Sequence, residues 1–289
     1  MKELGLHWLR SVVKSGSDSS SASSTTADDQ HHDLLAQLLD RQISVNALES
    51  LIVALRSSGS KGTLAQTAIG FDSNIFLRLG AHPKSEDIVD YLNSRHAAPL
   101  ILPGQAIQEF WNNQLHAVDT VSAGLKKRFD ILKAEFGRVD KQFGDYASKI
   151  DELLEQFAAE HGHKYEEGAV RKTLTFLEML QKKARIPYAP RLQFHPIAAQ
   201  RRRTKTPPGF RDDGDGDFFI WVDFLKGLKQ AKQAGETFDR AVLVSNDQKP
   251  DWSRAGIAHP ILMAEVQGLV GVPFEIWNME KLATEIGSA

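Results

Sequence analysis

Short apolar runs alternate along the chain with longer amphipathic stretches, and the two periods separate strands from helices. Thr67-Ala68-Ile69-Gly70-Phe71 is a continuous apolar run ending on Asp72-Ser73-Asn74, the pattern of a strand buried on both faces that leads into a turn. Similar runs at Pro99-Leu100-Ile101-Leu102-Pro103, at Arg240 to Ser245 and at Pro273 to Trp277 predict three further strands. Between them, apolar residues spaced by three and four predict helices from Ile75, over Glu86 to Ser94, after Pro103 with Glu109 on it, over Asp217 to Ala234, and from Met279 onward. Strands of this kind alternating with helices predict an α/β fold with a central parallel sheet covered on both faces.

Two stretches stand outside the alternation. Val118, Val121, Leu125, Phe129, Leu132, Phe136, Val139, Phe143, Tyr146, Ile150, Leu153 and Phe157 form a seam of coiled-coil type, Gly162 interrupts it, and a shorter helix returns from Tyr165 to about Ala184. This predicts a long α-helical hairpin inserted at about 117–185, its apolar stripe used for packing. At the other end, Ser15 to Asp29 (SGSDSSSASSTTADD) is too poor in apolar residues to order itself, while Asp33 to Arg56 has helical spacing. The predicted organisation is a flexible segment over 1–32, an N-terminal helical extension and linker over 33–63, and an α/β domain over 64–289 that carries the hairpin.

Composition narrows the classes. With 289 residues, 42% of them hydrophobic and 25% charged, the chain can bury a full core. No run reaches the roughly 18 to 20 apolar residues of a membrane span, and Met1 to Gly16 lacks an apolar run and a cleavage site, so the expectation is a cytoplasmic protein with no membrane partner. Cysteine is absent, which excludes disulfides, thiolate metal sites and cysteine nucleophiles.

The net charge of -2 hides a segregation of charge. Between Lys182 and Arg211 stand Lys182, Lys183, Arg185, Arg191, Arg201, Arg202, Arg203, Lys205 and Arg211 with no acid among them, and Asp212-Asp213-Gly214-Asp215-Gly216-Asp217 follows at once. A basic arm feeding an acidic cluster suits a phosphate substrate: cations attract the polyanion and carboxylates hold the metal that activates water. Within that arm, Tyr188 and Phe194 are the aromatic rings available for base stacking before Phe210.

Four acids fall at or near strand ends. Asp72 closes the first strand, Glu109 lies on the helix after the second, Asp217 opens the helix before the third, and Asp247 follows the third. Singly, each has an ordinary structural reading: Asp72 and Asp217 as helix caps, Asp247 as the start of an Asx turn, Glu109 as a surface residue. Together they make a carboxylate cluster beyond the carboxyl ends of the strands, where open parallel sheets bind ligands and where a divalent cation relieves the repulsion. None of the four has a Lys or Arg at helical spacing to neutralise it. An all-oxygen set selects Mg²⁺ or Mn²⁺ over Zn²⁺. Rival motifs fail on particular residues: Phe218 and Phe224 stand where a calcium loop needs Gly and Glu, and Asn74 stands where an aspartyl phosphatase needs its second Asp. No P-loop, Rossmann fingerprint or Gly-x-Ser-x-Gly occurs, and His31, His32, His161 and His163 lie in a linker and a bend.

Phe71-Asp72-Ser73-Asn74-Ile75-Phe76, Leu102-Pro103 followed by Gln108-Glu109-Phe110, Pro208 to Asp212 running into Gly216 to Trp221, and Ser245 to Trp252 together resemble the PIN-like nuclease superfamily, in particular a longer bacterial PIN-like subgroup. The resemblance covers about Gln66 to Trp277 and implies a three-layer α/β/α PIN-like domain. It implies a metal-dependent nuclease, an endoribonuclease acting on single-stranded or structured RNA. Its acidic site falls on Asp72, Glu109, Asp217 and Asp247, with Asp212 as a supplementary metal ligand and Asn74 and Ser245 as polar groups behind them. Nucleic acid, RNA ahead of DNA, is then the expected partner, with Arg201, Arg202, Arg203, Lys205 and Arg211 along its path, and the hairpin offers a surface for a second copy or another protein. The alternative from a different class is a non-catalytic nucleic-acid- or protein-binding module on the same scaffold.

Overall fold

The computed structural model describes residues 25–56, 62–112, 168–247 and 249–289, with isolated helical residues 131, 149 and 152. Most of the expected hairpin, and the linker at 57–61, lie outside the described residues. Two compact units divide the chain, 1–34 and 35–289. The first unit's described residues are helical, within α1 (Thr25–Leu39), which begins inside the segment expected to be a tether.

In the second unit, five parallel strands form the central sheet: β1 (Thr67–Phe71), β2 (Leu100–Ile101), β3 (Ala184–Arg185), β4 (Arg240–Val244) and β7 (Phe274–Trp277), in the order β3-β2-β1-β4-β7. Flanking helices make the fold α/β as expected. They are α2 (Ala47–Arg56), α3 (Ile75–Ala81), α4 (Ser85–Ser94), α5 over 104–112, α6 over 168–183, α7 (Arg191–Arg203), α8 (Gly216–Gln233), α9 (Pro260–Val270) and α10 (Met279–Gly287). A two-stranded antiparallel ribbon, β5 (Ser253–Arg254) with β6 (Ile257–Ala258), precedes α9. Among the described residues, no helix is long and apolar enough to cross a membrane.

Strand periodicity sorts the core into two layers. Ile69 and Phe71 of β1, in register with Val242 and Val244 of β4, face a cluster with Ile75, Phe76, Ile88, Leu92, Phe176, Leu180 and Leu282 from α3, α4, α6 and α10. Phe71 and Phe176 meet edge to face at 5.2 Å. On the opposite side α8 crosses so closely that a Cβ on Gly70 would stand 2.5 Å from the Phe224 ring, which explains glycine in mid-strand. Trp221, Phe224 and Phe274 stack behind it, with ring centroids 5.1 to 5.9 Å apart.

From β1 the chain moves outward through β2 and β3, then returns to β4 on the other side of β1. That reversal opens a crevice at the carboxyl ends of β1 and β4, the place where sheets of this type carry their ligands. β3, only two residues long, was not expected; nothing in its composition distinguishes it from the adjoining helix and loop.

Candidate active site

Asp72 leaves the sheet last on β1: its backbone N–H still donates to Val244 O at 3.0 Å, so the turn is pinned to the neighbouring strand. Its carboxylate is 5% exposed and accepts from Asn74 Nδ2 and Ser245 Oγ, each at 2.6 Å. The Ser73 hydroxyl lies 3.2 Å from Asp72 Oδ1 and 3.1 Å from Glu109 Oε2, joining the first acid to the second. Asn74 is held in turn, its Oδ1 accepting from the Asn246 backbone at 2.9 Å, and Ser245 Oγ accepts from the Asp247 N–H at 3.0 Å. Asn74 and Ser245 both hydrogen-bond to Asp72 Oδ2.

Glu109 lies on α5 and is fixed from its own helix by Gln105 Nε2, which donates to Oε1 at 3.1 Å. A Cβ on Gly216 would overlap the same oxygen, so the start of α8 lies directly against Glu109. Asp217, one residue further, accepts from Trp252 Nε1 at 3.0 Å. Asp247 accepts the Lys249 backbone N–H at 2.9 Å, the Asx turn of its ordinary structural reading.

Lys249 is the residue that sequence reasoning missed. Its ammonium lies 2.5 Å from Asp212 Oδ2, 2.9 Å from Asp247 Oδ2 and 3.4 Å from Asp217 Oδ2. No Lys or Arg stands at helical spacing from the four acids, and the cation that pairs with them comes instead from the turn after β4. Asp212 joins the group through it and through Asp217.

Burial raises the proton affinity of Asp72, Glu109 and Asp217. For Asp72, the hydrogen bonds from Ser245 and Ser73 oppose burial and the charge of Asp247 adds to it. Glu109 is burdened further by the charge of Asp72. Asp217 is pushed up to about 7, by burial first and then by the adjacent Asp212. Asp212, though partly desolvated, is pulled below the usual carboxylate range by Lys249 and Asp217. These mutual effects put the five acids within one electrostatic neighbourhood.

The basic arm is rearranged by folding. Arg201 is 3% exposed, and its guanidinium donates to Glu265 at 2.8 and 3.3 Å. Arg191 is bound by Asp223, and Arg185 by Glu236. Arg202 pairs with Asp215. Glu236, Asp223 and Glu265 come from later segments and Asp215 from the acidic run just after the arm, so an acid-free stretch of sequence is not an unpaired one. Lys182, Lys183, Arg203, Lys205 and Arg211 remain exposed. Of the two rings expected for stacking, Phe194 is fully buried and Tyr188 is 55% exposed.

A model of the PIN-like domain family matches residues 68–260. This chain belongs to that family. Searches of characterised proteins and of solved structures found no match. PIN-like domains are usually nucleases, and they generally work with Mg²⁺ or Mn²⁺. The donor chemistry of this PIN-like site, carboxylate oxygen throughout, suits such hard cations. In the geometry described, however, no three His, Cys, Asp or Glu side chains among the described residues converge closely enough to hold a metal ion, and the Lys249 ammonium lies among the oxygens of Asp212, Asp217 and Asp247.

Proposed function

We propose that this PIN-like protein is a metal-dependent endonuclease that hydrolyses phosphodiester bonds of RNA. What supports it most is that Asp72 and Asp247 follow β1 and β4 on the carboxyl edge of the sheet, and that Asp72, Glu109 and Asp217 carry raised proton affinities. Burying acids beside one another destabilises the fold, a cost that proteins tolerate at functional sites. These four, with Asp212 as a fifth donor, would hold the Mg²⁺ or Mn²⁺. When bound, such a cation supplies a water of lowered pKa and neutralises charge building on the phosphate.

The chain's own groups set the geometry. Asn74, Ser245 and Ser73 fix both oxygens of Asp72, and Ser73 with Gln105 fixes Glu109. Trp252 and Lys249 orient Asp217. Arg203, Lys205 and Arg211, exposed at the end of α7 and in the loop before α8, suit contact with successive phosphates rather than with bases. A second reading, a binding module without catalysis, is favoured by one observation only, the ammonium already inside the cluster.

The test is incubation of the purified full chain with a generic single-stranded RNA and Mn²⁺. Cleavage that stops with EDTA and is lost in Asp72→Asn and Asp247→Asn, both still folded, is the expected result. Cleavage indifferent to EDTA or to Asp72→Asn would overturn the assignment. RNA bound but never cut, with melts indifferent to Mn²⁺, would favour the binding module.

A further inference from the structure

We propose that Lys249 is a built-in counter-ion for the carboxylate site, an internal cation that holds Asp212, Asp217 and Asp247 together in the metal-free protein and must withdraw for a divalent cation to bind there. The second half of this proposal rests on the metal-dependent reading above.

The ammonium has three protons and lies among three carboxylates, at 2.5, 2.9 and 3.4 Å. One residue engages Asp247 twice: the Lys249 backbone N–H donates to Oδ1 while Nζ meets Oδ2. Asp247 is thereby fixed in orientation as well as neutralised. Asp212 and Asp217 come from the other side of the crevice, from the loop before α8 and from its first turn. Lys249 consequently bridges the turn after β4 to the start of α8.

An exposed ion pair would mean little, since single surface pairs contribute next to nothing. This ammonium differs in serving three acids at once. In contact with three carboxylates, it can yield its place only by moving. Lysine suits that role: it is a compact charge on a flexible stem, with no planar fork to lock it in position. A cation taken up on Asp217 Oδ2 and Asp247 Oδ2 would use the oxygens that the ammonium now meets, and two cations on the same oxygens repel.

Isothermal titration of the full-length protein with Mn²⁺, beside melts in EDTA, tests both halves. Lys249→Met is expected to melt below wild type in EDTA, to bind Mn²⁺ about tenfold tighter or more, and to close the gap in melting at saturating Mn²⁺. Arg211→Met removes a nearby cation without a bond to these acids, and is expected to change Mn²⁺ affinity by less than about twofold. Should Lys249→Met fail to fold, the double variant K249M/D212N, which removes one carboxylate along with the ammonium, carries the same titration. Wild type binding Mn²⁺ while Lys249→Met binds equally or more weakly overturns the proposal and leaves the metal-dependent reading intact. So does an equal gain in Arg211→Met, which would reduce the effect to general charge. If neither wild type nor Lys249→Met takes up Mn²⁺, the metal-dependent reading and the displacement fall together.

Discussion

Exchanging Arg201 for methionine separates a fold lesion from a binding lesion, because this arginine looks in sequence like part of a phosphate-tracking arm and in the fold is buried. Its guanidinium donates to Glu265 at 2.8 and 3.3 Å and to Leu39 O at 3.0 Å, and it also meets Pro207 O. Glu265 is fully buried, with Trp221 Nε1 at 2.8 Å and Arg41 at 3.5 Å as its other partners. Removing one member of a buried pair leaves the other uncompensated, typically at a cost of about 3 to 5 kcal/mol. Arg41 remains near enough to attract Glu265, which places the expectation at the lower end, about 3 kcal/mol. At about 2 to 4 °C per kcal/mol for a domain of this size, the melting temperature should fall by about 6 to 12 °C. Urea denaturation and thermal melts measure this directly, and RNA binding is then measured well below the variant's melting temperature. Arg203→Met, exposed at the end of α7, should lose less than about 0.5 kcal/mol of stability and should weaken RNA binding. Pairing Arg201→Met with Glu265→Leu should recover most of the loss, since two apolar side chains replace two opposed charges. An Arg201→Met protein that melts within about 1 °C of wild type and loses RNA affinity as Arg203→Met does would instead put Arg201 on the RNA path and leave its buried pairing without consequence.

Three further outcomes follow from the same contacts. Gly216→Ala drives its Cβ into Glu109 Oε1, the far end of a flexible side chain, so stability should change by less than about 1 kcal/mol while cleavage of RNA falls about tenfold or more; unchanged turnover would detach Glu109 from the reaction. Burial drives His96 from 6.5 down to about 4, so the unfolded chain takes up a proton that the folded one refuses: stability should fall as pH drops from 6.5 to 4, by up to about 3 kcal/mol, and His96→Gln should flatten urea midpoints across that window. Neutralising Arg203, Lys205 and Arg211 together should weaken all single-stranded RNAs alike and reduce the salt slope by about 2, at roughly 0.7 for each phosphate no longer neutralised, whereas an unchanged slope would move the RNA path elsewhere.

The sheet was legible because its strands are buried on both faces, and burial of that kind writes itself as uninterrupted apolar runs: Thr67–Phe71, Arg240–Val244 and Phe274–Trp277 all lie where those runs stand. β3 was illegible for the opposite reason, since two half-buried residues leave no period to detect. The polarity of a parallel sheet brings its carboxyl ends to one edge, so Asp72 and Asp247 fall on the same edge where β1 and β4 pair in register. Charge pairing was not legible. The acids that engage Arg185, Arg191 and Arg201 lie 51, 32 and 64 residues away, and the one that engages Arg202 lies 13 away in the acidic run itself; a count of charge along the chain does not say which of them pair.

Lys249 shows what kind of information a pattern of carboxylates lacks. The run Ser245 to Trp252 is one of the motifs that marks the family resemblance, yet its lysine carries no helical or strand spacing that would aim it at Asp212 and Asp217. Its direction is set instead by the Asx turn, in which the Asp247 carboxylate captures the Lys249 N–H and turns the following side chain back over the crevice. The same turn supplies Trp252, whose indole N–H reaches Asp217 while its ring packs at 6.1 Å against Trp221 in the core. One short segment therefore anchors an acid to the core, neutralises it and its neighbours, and does so from a fully buried tryptophan that keeps the turn from drifting. Substituting Asp247 by alanine would then remove more than one ligand. It would release the turn that aims Lys249, so loss of the Asp212 and Asp217 pairing should accompany loss of Asp247 itself, whereas Asp247→Asn retains an oxygen for the turn and should keep that pairing.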